Sequence, residues 1–154
     1  MRRILLLAGA LTVPLSAASM VVAANPASAT TAPKITCTKM TGNASSTVVI
    51  SGCTGGHTGG KSRPVAASAL AAGGTVTWVA GSSTTIKAPT LTSVSAAGCP
   101  GYVKGGSDNP SADKFVATVT KDKADGLKLP GKATGAVCIA DGGAITALHP
   151  TVIT

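Results

Sequence analysis

The chain has 154 residues with 44% hydrophobic but only 2% aromatic content, 19 glycines, four cysteines and a formal charge of +8. Trp78, Tyr102 and Phe115 are too few aromatic side chains to stack bases, and the lysines are scattered, with a local cluster only at Lys121, Lys123, Lys128 and Lys132, so the composition speaks against nucleic-acid binding. It also speaks against an enzyme: there is no glutamate, five aspartates are the only carboxylates, and no G-x-S-x-G elbow accompanies His57 or His149.

Arg2 and Arg3 precede an apolar run from Ile4 to about Ala24, and Asn25-Pro26-Ala27-Ser28-Ala29 follows it. The charged start, apolar middle and A-x-A exit predict a signal peptide over 1–29, cleaved after Ala29. Pro14, Ser16 and Ser19 weaken the run as a bilayer span, and His149 to Thr154 carry no apolar tail that would anchor the other end. The expectation is one secreted domain over 30–154, extracellular or associated with the cell envelope and without a membrane span after cleavage. Removing Arg2 and Arg3 leaves eleven basic residues against five aspartates and a charge of +6, which attracts acidic partners weakly.

From Lys34 onward, short β-type runs alternate with Gly, Pro, Asn and Asp. Lys34 to Met40 alternates, with Cys37 on one face, and Thr47 to Ser51 follows a turn expected at Gly42-Asn43. That turn alone would set Cys37 opposite Val48, so a longer or bulged loop is needed before Cys53 can reach Cys37. Ser62 to Gly73 carries helix signals: a cap-type serine, Pro64 in the first turn, an alanine-rich body and a final glycine. They predict one short helix near 63–72, or an extended loop. Thr75 to Ala80 is the clearest strand, with Val76, Trp78 and Ala80 on one side. Thr84 to Lys87 and Leu91 to Val94 continue the pattern, and Phe115, Ala117 and Val119 share a face within Lys114 to Thr120. Ala136–Ala140 and Ala144–Leu148 flank Asp141-Gly142-Gly143, a hairpin signal. These runs predict an all-β antiparallel sandwich or small barrel.

Cys37, Cys53, Cys99 and Cys138 in an exported chain predict two disulfides. Three connectivities are possible. Nearest-neighbour closure favours Cys37–Cys53 with Cys99–Cys138, bridges spanning 16 and 39 positions that stabilise by about 3 and 4 kcal/mol in the chain-entropy model. Without C-x-x-C, and with His57 and His149 far apart, no metal site or other cofactor is expected.

Gly55 to Ser62 matches the phosphate-loop pattern G-x-x-x-x-G-K-[ST]. In that role the backbone N–H groups between Gly55 and Gly60 would wrap phosphate oxygens, Lys61 would reach the terminal phosphates and Ser62 would ligate magnesium. The surroundings speak against it, because such loops sit on parallel sheets layered by crossover helices.

The A-x-A exit, Cys37 followed by Val48-Val49-Ile50-Ser51-Gly52-Cys53-Thr54-Gly55, and Thr75-Val76-Thr77-Trp78 with Gly81 and Thr84-Thr85-Ile86 resemble small exported actinobacterial proteins of unknown function, from mycobacteria and their relatives. The resemblance implies an exported β-rich fold with two disulfides and supplies no activity. The expected role is that of a non-catalytic, monomeric binding or envelope-surface module, with an envelope component or a small apolar ligand as its partner. The alternatives are a carrier with Trp78 and Phe115 lining an apolar cleft, and the phosphate loop at Gly55, Gly60, Lys61 and Ser62.

Overall fold

A computed structural model describes residues 33–154; the expected signal peptide at 1–29 lies outside them. Nine strands and one short helix follow in the order β1 (Ile35–Asn43), β2 (Thr47–Thr54), β3 (Val65–Ala66), α1 (Ala67–Ala72), β4 (Thr75–Thr77), β5 (Ser83–Ile86), β6 (Thr90–Ser93), β7 (Ser111–Lys123), β8 (Gly131–Ile139) and β9 (Ala144–Ile153). Every pairing is antiparallel, and the sheet runs β3-β2-β1-β9-β8-β7-β5-β4, with β6 on β7.

The period-two alternation decides which side chains turn inward. On β7, Ala117 and Val119 are buried while Thr118 and Lys114 face out, and β1 and β2 bury Ile35, Cys37, Met40, Val48 and Ile50 in the same core. The first hairpin turns at Ala44–Ser46, later than the Gly42-Asn43 turn expected. Its loop is held by Ser46 N–H donating to Asn43 O and by the Asn43 side chain accepting from Ser45 N–H. This shift sets Gly42 opposite Val48 and brings Cys53 directly opposite Cys37, where the two form a disulfide. Cys99–Cys138 is the second bridge, and both pairings are those that nearest-neighbour closure favoured.

β5 and β6 lie end to end along one edge of β7, facing Val119–Lys123 and Asp113–Val116 respectively. Lys87-Ala88-Pro89 interrupts them, and Pro89 has no N–H to give to a sheet neighbour. On the far side of β5, β4 pairs over only three residues. The strand expected to run from Thr75 to Ala80 stops there because Trp78 and Gly81 enter a tight turn: Trp78 N–H donates to Ser82 O, and Gly81 N–H donates to Trp78 O.

The sheet nearly closes into an eight-strand barrel through Gly60 to Ala66. Toward β2, Cys53 N–H donates to Gly60 O, Ser62 N–H donates to Ile50 O, and Val65 and Ala66 pair with Val48 and Thr47. Toward β4, Arg63 N–H donates to Thr77 O and Val79 N–H to Lys61 O. These bonds also explain why the helix begins at Ala67 and not near Arg63. Pro64 biases Arg63 to extended backbone, and the sheet claims the amides that a helix would have used. Beyond Ala66 the segment leaves β2 as α1, and β4 begins only at Thr75, so one part of the wall has no strand between β3 and β6. Among the described residues β6 pairs only with β7. No helix among them is long and apolar enough to cross a membrane.

Candidate ligand cavity

Where the wall lacks a strand, the barrel interior is not filled. A cavity of about 160 Å³ lies there, lined by Met40, Val48 and Ile50 from β1 and β2, by Val137 and Ile145 from β8 and β9, and by Phe115 from β7. Helix α1 contributes Ala67, Leu70 and Ala71. The lining reaches the surface through Ala71 and Leu91, the latter 57% exposed. Leu91 and Phe115 are directly opposite one another on β6 and β7, so the lip of the cavity is a cross-strand apolar pair. The cavity exists because the local sequence supplies small residues where a barrel of this girth needs large ones: Ala67, Ala71 and Ala133 all face it.

Gly73 sets the helix against this opening. It adopts φ +85°, and a Cβ there would collide with the backbone of Lys87 and Ala88. Only glycine lets the chain pass so close to the β5–β6 break while leaving α1. The helix buries no residue fully, and Leu70, half-buried against the core, is its main anchor.

Phe115 lines the cavity as the carrier reading expected, but Trp78 does not. Trp78 is 0% exposed and belongs to the packed part of the core near the end of the barrel where β1 begins. Its Nε1–H donates to Thr84 Oγ1 at 3.0 Å, and Thr84 in turn lies 3.5 Å from Asp125 Oδ2. The indole needs this partner; Thr84 itself reaches the cavity lining, while the ring it holds does not.

Asp125, 4% exposed, is the centre of that cluster. Its Oδ1 accepts from His57 N–H at 2.7 Å and from Ser82 Oγ at 2.8 Å. The carboxylate therefore pins the glycine-rich loop to the barrel end. Nothing in the sequence marked Asp125 for this, because the group it holds is 68 positions away.

The phosphate-loop residues are placed differently from a strand–loop–helix. Ser62 is 2% exposed, its Oγ accepts from Ile50 N–H at 3.0 Å, and no helix starts at it. Lys61 is exposed on the seam segment, and Gly55 and Gly60 belong to the turn leading into it. Among the described residues no group of three or more His, Cys, Asp or Glu is placed to hold a metal ion. No family model, curated protein or solved structure matches the chain.

Proposed function

We propose that the chain is an exported, non-catalytic carrier or sensor that binds a small apolar molecule inside its barrel. The observation that carries this reading is the cavity, whose lining is apolar apart from Thr84 and Thr151 and which opens beside the exposed Leu91. An unfilled apolar space forgoes dispersion contacts that a tighter core would make, and apolar voids of about 150 Å³ are known to stay dry and to take up benzene-sized guests. The two disulfides support the exported setting, since such bridges persist in oxidising compartments.

Toluene is the test ligand, read by thermal unfolding. A ligand specific for the native state at ten times its Kd adds about 1.4 kcal/mol of stability, which is a rise of about 5 °C for a domain of this size. Ala67→Phe places a ring in the cavity from the half-buried start of α1 and is expected to abolish the rise. Toluene leaving the wild-type melting temperature unmoved would remove the carrier reading.

A further inference from the structure

We infer that the natural ligand is a neutral molecule of about six to eight non-hydrogen atoms carrying one oxygen function, a ketone or an alcohol, which hydrogen-bonds to the Thr151 hydroxyl inside the barrel. The inference rests on the cavity being a ligand site and adds the chemical class of its occupant.

Thr151 lies on β9 opposite Cys37, is 4% exposed and lines the cavity. Its hydroxyl takes part in no side-chain hydrogen bond among the described residues, and it is not one of their fully enclosed polar atoms left without a partner, so it faces the open chamber, where an oxygen function of a ligand can meet it. The other polar lining residue, Thr84, is committed, since its oxygen accepts from Trp78 and faces Asp125. The one uncommitted polar group in an otherwise apolar chamber is therefore the Thr151 hydroxyl. Gly135 on β8 lets the Phe115 ring lie close beside Thr151: a Cβ at Gly135 would meet Phe115 Cζ at 2.6 Å and Thr151 Oγ1 at 3.2 Å. Phe115 and Thr151 thus converge on one bare stretch of backbone, an apolar ring beside a hydroxyl.

Charge and size narrow the class further. No Lys, Arg, His, Asp or Glu lines the cavity, so an ionised ligand would be buried without a counter-charge. The volume of about 160 Å³ matches a guest of benzene to heptanone size.

The experiment compares toluene, 2-heptanone and heptanoate on the wild type and on Thr151→Val, which keeps the shape and removes the hydroxyl. Thr151→Val is expected to weaken 2-heptanone about three- to tenfold, the net worth of one neutral hydrogen bond, while toluene changes less than twofold and heptanoate binds neither protein. Thr151→Ser is expected to restore the ketone. A measurement on the wild type alone covers the case in which the variants fail to fold: the carbonyl stretch of bound 2-heptanone should lie below its position in heptane. An unshifted stretch, a ketone affinity indifferent to Thr151→Val, or heptanoate binding as tightly as the ketone each overturns the assignment while toluene binding leaves the carrier reading standing. Failure of toluene and ketone together removes both.

Discussion

Asp125 shows how one residue gains its role from the fold. In sequence it ends a Lys-Asp-Lys-Ala-Asp stretch that reads as diluted surface charge, yet the turn after β7 carries it under the glycine-rich loop, with His57 N–H, Ser82 and Thr84 around its two oxygens. Asp125→Ala leaves the His57 amide without its acceptor, while the Ser82 hydroxyl keeps His57 O at 2.7 Å, and a hydrogen bond to a charged group is worth about 1.5–3 kcal/mol. The expected result is a loss of about 2–3 kcal/mol, seen as a lower denaturant midpoint at unchanged slope, with Asp125→Asn losing about half as much because it keeps an acceptor oxygen. Equal losses in the two variants would mean that the carboxylate does not hold the loop. The same scale separates Trp78 from Phe115. Alternation correctly turned both inward, but it does not say at which level of a barrel an inward side chain sits. That level is set by partners that alternation does not encode: Thr84, with Asp125 brought to it from far along the chain, for the indole, and Leu91 and Gly135 for the phenyl ring.

Among the elements, the segment from Gly60 to Ala66 was the hardest to read from sequence. Gly60, Lys61 and Ser62 end the phosphate-loop pattern and Pro64 to Ala66 open the helix pattern, while the backbone of the segment closes the barrel between β2 and β4. Local pattern carries no record of a hydrogen bond to a strand some 15 residues downstream, and the seam consists of such bonds, Arg63 to Thr77 and Val79 to Lys61. Two expectations follow. Mg-ATP should leave the melting temperature unmoved in the wild type and in Lys61→Ala, whereas a rise that Lys61→Ala abolishes would restore the nucleotide reading. Ser62→Ala should cost about 1–3 kcal/mol, because Ile50 N–H would be left buried without its side-chain acceptor. A cost near zero would mean that the seam is not held by this hydroxyl. The other elements were more legible. The two β runs around Pro89, the Asp141-Gly142 hairpin and the first hairpin all fall near where alternation and turn residues place them. Their ends moved because β7, β8 and β9 extend by pairing with one another.

Across the whole molecule, stability has to come from a core that is short of large side chains and hollow near α1, so the sulfur bridges bear a larger share than they would in a well-filled barrel. The two bridges do different things. Cys37 is fully buried within the main core and joins β1 to β2 in the barrel wall, so its loss disturbs the chamber itself. Cys99–Cys138 belongs to a separate small cluster with Ala112, outside the main core, and fastens the excursion between β6 and β7 onto β8. In the chain-entropy model each bridge is worth about 3–4 kcal/mol, against a total of about 5–15 kcal/mol for a typical domain. Replacing Cys99 and Cys138 by serine together should therefore lower the melting temperature by about 10–20 °C yet leave toluene binding intact when measured well below the new midpoint. Replacing Cys37 and Cys53 should cost a similar amount and weaken toluene binding as well, because those strands supply Met40, Val48 and Ile50 to the cavity wall. If both pairs of substitutions affected binding equally, the chamber would depend on the whole molecule and not on the barrel wall, and the division drawn between the two bridges would fail.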